Sequence, residues 1–313
     1  MFRWKNYVYE IYKERSFTKA AQNLYVSQPS LSARIKKIEE DIGAPLFDRS
    51  TTPLLLTDIG ELYIKTAVEI MKLESDFENG VNDISGVHSG HLHIGASNAF
   101  AAYSLPPIIT AFKILYPEVK ITLTEGNTAT LKEMLSTNEL DMVVDNNRYD
   151  DKLYDRELCH REVILLAVPG EFPECDGLSE YEIGERDMKE KSYLSEDFPA
   201  VPINKFKDIP FVLLSQGNDT RTRSDAICSV AGFRPRAVLE LNQQATAYMT
   251  ASTGIGAAFV SDTIVSKLPL YNSFNYYKIG TPTAKRNVYF YFKKSKFKTG
   301  AMSAFLILIK DYN

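Results

Sequence analysis

Apolar residues in the first 43 positions recur at steps of three and four. Trp4, Val8 and Ile11 share one face of a helix spanning 2–14, flanked by Tyr7 and Tyr12. Ser16 and Thr18 are cap-type residues ahead of a second apolar set, Ala20, Ala21 and Leu24. After a turn at Tyr25-Val26, Ser27 is placed to cap a third helix. Pro29 falls in its first turn, where a missing N–H costs nothing. Leu31, Ile35 and Ile38 give this helix a buried stripe, and Gly43 ends it. "APLFDRSTTPLLLTDIG" follows, and its β-branched and turn residues predict a short two-stranded wing. Thr57 or Asp58 then caps a long helix running to about Ile84. Its seam reads Tyr63, Ala67, Ile70, Leu73, Phe77, Val81 and Ile84, a coiled-coil-like spacing that predicts dimerisation.

"SGVHSG", Ser85 to Gly90, breaks that helix and reads as a linker. Beyond it the period changes. Short apolar runs predict strands at 92–96, 120–126, 140–146, 162–168, 211–216, 237–241, 256–261, 274–280 and 287–294. Helices are expected at 105–116, 128–138, 221–231 and 245–253, with a last one after Gly300. Strand–helix alternation predicts an α/β fold with mainly parallel sheets, and this length suits two lobes better than one. The polar, somewhat acidic stretch 171–208 interrupts the pattern and reads as a surface excursion.

Composition narrows the class. The chain has 313 residues, 44% hydrophobic and 24% charged, as in an ordinary globular protein of more than one domain. No apolar run reaches the ~18 residues of a membrane span. The N-terminus mixes charge with helical apolar spacing, unlike a signal peptide, so a cytoplasmic protein is expected. Cys159, Cys175 and Cys228 are too few for a disulfide framework and read as inert thiols. A net charge of −4 does not advertise a nucleic-acid binder, but an average can hide a local basic face.

The third helix has such a face. With Leu31 pointing inward, Pro29, Ser30, Ser32, Ala33, Lys36 and Lys37 point outward. Short side chains let a backbone settle into a major groove, hydroxyls and amides reach base edges, and lysines meet phosphates. Gln28, at the exposed start, can pair with adenine N6 and N7.

"SFTKAAQNLYVSQPSLSARIKKIEEDIGAPLFDR" followed by "LLTDIG" resembles the winged helix-turn-helix domain of LysR-type transcriptional regulators. The resemblance implies an all-α head over 1–58, a linker and dimerisation helix over 59–86, and an effector domain over 91–313. That domain would be α/β, two-lobed and similar to periplasmic binding proteins, one lobe from 91–162 and 268–313, the other from 163–267. It further implies that Gln28, Pro29, Ser30, Ser32 and Ala33 lie in or at the major groove, with Ser27 beside them among the DNA-binding residues, and that Arg49 belongs to the wing. Thr18 would cap its helix near a phosphate. Family members often carry basic residues where this chain has Thr52 and Leu55. The implied partners are double-stranded promoter DNA, a small-molecule effector, RNA polymerase and further copies of the chain in a dimer of dimers. No cofactor is implied.

Four strand-to-helix turns carry polar residues: Ser97 and Asn98; Asn127 and Thr128; Ser215, Asn218, Asp219 and Thr220; and Gln243, Gln244 and Thr246. Each alone reads as a helix cap. Together, in two lobes, they predict a cleft whose helix N-termini suit a carboxylate-bearing metabolite such as an amino acid or another organic acid. Ser97 is the best placed, since the family commonly has Ser or Thr there.

Other functions fit less well. His88, His91 and His93 invite a metal, but no cysteine or carboxylate stands at ligand spacing, so they read as exposed residues of an edge segment. No nucleophile elbow, P-loop or dinucleotide fingerprint occurs, so no enzyme is expected. A stand-alone solute-binding protein would lack the helix-turn-helix.

Overall fold

The computed structural model describes residues 1–51, 53–84, 90–296 and 298–312. Thr52, His88 and the linker positions 85–89 lie outside the described residues.

The head forms where the apolar stripes meet. A single 3-10 turn leads into α1 (Lys5–Glu14). Ser16, not Thr18, caps α2 (Phe17–Asn23): its Oγ accepts the Lys19 N–H at 3.3 Å. Thr18 is the second residue of that helix, which corrects its expected role as the cap. Ser27 caps α3 (Gln28–Ile42), its Oγ accepting the Ser30 N–H at 3.3 Å. Gly43 ends α3 at φ 82°, a conformation that a side chain would strain. β1 (Phe47–Asp48) and β2 (Leu55–Leu56) form the antiparallel wing. Thr57 caps α4 (Asp58–Ile84), accepting the Gly60 N–H at 3.0 Å. Gly60 must be glycine, because a Cβ there would lie 2.0 Å from the Leu46 carbonyl oxygen.

The seam of α4 divides in two. Tyr63 and Ala67 join Val8, Ile11, Leu31, Ile35 and Ile38 in the head's core, and Ile70 is half-buried. Leu73 and Phe77 are 68% and 73% exposed. The side chains of Val81 and Ile84 lie outside the described residues.

The first lobe runs β3 (Gly90–Ala96), a π-helical turn at Phe100–Ser104, α5 (Leu105–Leu115), β4 (Val119–Glu125), α6 (Thr128–Ser136) and β5 (Met142–Asp145). β3 pairs in parallel with both β4 and β5, so it is an inner strand and not the expected edge. The long β6 (Tyr154–Pro169) then crosses to the second lobe. That lobe holds α7 (Glu185–Glu190), β7 (Pro210–Leu214), α8 (Asp219–Val230), β8 (Arg236–Leu241), α9 (Gln244–Thr250), β9 (Ala257–Ser261), α10 (Asp262–Lys267) and β10 (Phe274–Lys278). β11 (Lys285–Lys293) returns to the first lobe, and α11 (Gly300–Tyr312) closes over it.

Three expectations need correction. Sheets are mixed: β6, β10 and β11 run antiparallel to their neighbours, because the crossovers return without a helix between them. The return to the first lobe comes at β11, not at 268, since Phe274, Tyr276 and Tyr277 are buried in second-lobe cores. The stretch 171–208 is more than a surface excursion. It buries Leu178, Ile183, Met188, Tyr193 and Phe206 over the second lobe's sheet. Charged residues between those positions hid the apolar set from a periodicity reading.

Candidate functional site

The outer face of α3 is built as its sequence suggests. Leu31, Ile35 and Ile38 are at most 2% exposed and anchor the helix from beneath. Ser27, Gln28, Pro29, Ala33, Lys36 and Lys37 are exposed, and Ser30 and Ser32 are half-buried. Gln28 Nε2 donates to Ser32 Oγ at 3.0 Å, one helical turn away, which presents the amide along the helix face. Lys36 is only loosely held, 3.8 Å from Glu40. Thr18 is exposed on α2. The face is therefore short at its start and positive beyond.

Arg49 follows β1 and is already engaged. It donates to Glu39 Oε2 at 3.0 Å and stacks over the Phe17 ring at 5.1 Å. Glu39 Oε1 in turn accepts the Leu46 N–H at 2.9 Å. One carboxylate thus fixes the wing to α3 and engages the Arg49 charge.

In the effector domain a cleft of about 930 Å³ opens between the lobes. It gathers Ser97, Asn98, Asn127, Thr128, Asn218 and Thr220. Thr246 is not among them: it is exposed on α9, and Gln243 and Gln244 line the cleft from that turn instead. Asn127 and Asn218 cap α6 and α8, accepting backbone N–H groups at 3.0 and 2.9 Å. Asn98 donates to Glu125 at 3.1 Å. Thr220 is 4% exposed, its Oγ1 accepting from Gln244 at 3.1 Å and Arg286 at 2.9 Å. It belongs to the wall, where it positions Arg286.

That wall includes residues that no periodic pattern marks. Arg286 donates to Glu162 and to Asp219, each at 2.8 Å. Burial works against the Arg286 charge, but Glu162 and Asp219 overcome it and hold the guanidinium protonated. Asp219 also accepts from Arg223 at 2.8 Å and from Asn146 of the first lobe. The Asn146–Asp219 bond ties lobe to lobe. Glu125, Lys132 and Asp145 add charge to the lining.

His91 and His93 lie side by side on one face of β3, their rings tilted by 31° with centroids 4.0 Å apart. His91 Nε2 lies 2.7 Å from Thr122 Oγ1, and His93 Nδ1 lies 3.6 Å from Asp141. Among the described residues no three metal-ligating side chains gather. The cysteines are buried, and burial pushes the thiols of Cys159 and Cys228 up to about 12, far from a reactive thiolate.

Two family profiles cover the chain: "Bacterial regulatory helix-turn-helix protein, lysR family" over 2–61, and "LysR substrate binding domain" over 85–313. The chain belongs to the LysR family. It is a DNA-binding transcriptional regulator and not an enzyme. Among its relatives, the regulator YcgK of Bacillus subtilis is 30% identical over 263 residues, 82% of this chain and 79% of that one. A probable RuBisCO transcriptional regulator of Gracilaria tenuistipitata is 26% identical over 301 residues, 94% of this chain and 91% of that one. Full-length CbnR in complex with its target DNA shares the fold at TM-score 0.69 and 16% identity, with both chains covered over 100%. A full-length OxyR variant of Pseudomonas aeruginosa matches at TM-score 0.69 and 20% identity, over 99% of this chain and 94% of that one. No helix among the described residues of this LysR regulator is long and apolar enough to cross a membrane.

Proposed function

We propose that this regulator reads its operator with α3 and senses a small carboxylate-bearing metabolite in the interlobe cleft. The cleft is the observation that carries the second half. It is lined from both lobes and offers the capped N-termini of α6 and α8 to an anionic group. Glu125 at its rim suits a ligand ammonium, which favours an amino acid among the carboxylates. Ser97, Asn98, Asn127, Thr128 and Asn218 would contact the ligand, and Thr220 would hold the wall. On DNA, Gln28, Ser30, Ser32 and Ala33 would meet base edges, with Ser27 and Pro29 at the groove entrance. Thr18, Lys36, Lys37 and Arg49 would meet phosphates.

Exposed Leu73 and Phe77 make α4 the natural dimer contact, and two such dimers would form the tetramer. The effector would act by favouring one tetramer conformation, changing the spacing of heads, the bend of promoter DNA and contact with RNA polymerase. The domain limits expected from sequence serve this reading once the second crossover is moved to β11. A cytoplasmic location suits it as well. Thermal-shift screening of the full chain against amino acids and organic acids tests the ligand class. A hit from either set, with its affinity lost in Ser97→Ala, is the expected result. Stabilisation only by uncharged or cationic compounds would refute the carboxylate.

A further inference from the structure

A second depression, of about 850 Å³, lies along the two crossover strands, and its lining is basic. Arg148, Arg156, Arg161, Arg223, Lys285 and Arg286 face a single lining carboxylate, Glu162. The strands themselves create this concentration. β6 and β11 pair antiparallel, with Arg156 opposite Tyr291, Arg161 opposite Asn287 and Val163 opposite Lys285. Arg156 and Arg161 are an odd number of residues apart and would point to opposite faces of a regular strand. The register shift between Val288 and Tyr289 leaves Cys159 without a Cα partner on β11 and brings both arginines to the same side.

The charges there are not balanced. Arg286 binds Glu162 and Asp219, and Arg223 binds Asp219. Arg148 and Arg156 share Asp151 at 3.4 and 3.6 Å. Among the described residues, no ion pair engages Arg161 or Lys285. Six cations thus share three carboxylates. Of these cations, Arg156, Arg161 and Lys285 share one face of the ladder, where like charges repel and an anion would relieve them. A monocarboxylate answers one of the three surplus charges. A phosphoryl group brings a charge of about −1.5 to −2 at pH 7 and three acceptor oxygens, matching arginine forks and a lysine point charge.

We propose that this depression binds the phosphoryl group of a small phosphorylated metabolite, at a site separate from the interlobe cleft. A depression of about 850 Å³ on the strands joining two lobes has the size of a small-molecule pocket. Asn146 and Arg286 line both the depression and the cleft. The two sites share a wall, through which occupancy of one reaches the other.

The test is calorimetric titration of the full-length protein with inorganic phosphate and with pyrophosphate at fixed ionic strength. Arg161→Ala/Lys285→Ala alters exposed side chains only, so its melting temperature checks the fold. One saturable site per chain is expected, weakened at least ~10-fold in the double variant, since each lost charge-assisted bond accounts for that much. Ser97→Ala should leave phosphate binding unchanged. Loss in Ser97→Ala would place the anion in the cleft and overturn the site. Binding that never saturates, or that the double variant retains, would do the same. A double variant with weaker operator binding and a shallower salt dependence would assign the surface to DNA and also overturn it.

Discussion

Two side chains test the molecule at the scale of single residues. Gln28 is held by Ser32 at 3.0 Å, so its amide is presented before DNA arrives and loses little freedom on binding. Gln28→Ala should weaken operator binding by about 1–3 kcal/mol and leave binding to scrambled DNA unchanged. Mobility shifts on the two duplexes separate these effects, and equal loss on both would end the base-reading role. Arg286 is the opposite case, a buried charge whose worth lies in what its removal strands. Its side chain is 6% exposed, and those of Glu162 and Asp219 are 1% and 18% exposed. Arg286→Met should therefore destabilise the fold by about 3–5 kcal/mol, measured by urea unfolding. Glu162→Gln added to it should recover part of that loss, because Glu162 is the carboxylate left without a cation, Asp219 keeping Arg223. Nothing in the sequence marked Arg286 among so many surface cations. Its role arises from a contact between β11 and α8 that no local pattern encodes.

Elements were more legible than residues. The head helices followed from apolar period and cap residues, and the nine strands of the effector domain from short apolar runs, which are clearest in β5 and β9, buried on both faces. Boundaries failed where tertiary contacts extend a strand. β6 starts at Tyr154 because β11 pairs with it there, although Tyr154 to Arg161 alternate poorly. The same reading merged two functions of α4 into one seam. Tyr63 and Ala67 belong to the head, whereas Leu73 and Phe77 remain exposed on the helix's outer half. Leu73→Glu/Phe77→Glu should therefore leave the head folded and disrupt association through α4. Sedimentation velocity should show a smaller assembly, with unchanged far-ultraviolet circular dichroism. A variant that sediments like the wild type would move the dimer contact elsewhere.

Coupling belongs to the whole molecule. The lobes are joined by two strands, β6 and β11, and tied across the cleft by Asn146 and Asp219. A ligand shifts such an arrangement only by its differential affinity for two conformations. Ser97 is suited to test this, because it lines the cleft at the end of β3, in a domain separate from α3. An effector at a hundred times its dissociation constant should stabilise the wild type by about 2.7 kcal/mol. In Ser97→Ala at the same concentration, most of that stabilisation should vanish. Operator affinity without effector should stay the same, since no head residue has changed. The effector-dependent change in operator bending, read by fluorescence transfer between labelled DNA ends, should vanish with it. If stabilisation disappears but the change in bending persists, the effector that bends DNA binds elsewhere. If both persist, Ser97 is only the end of a strand.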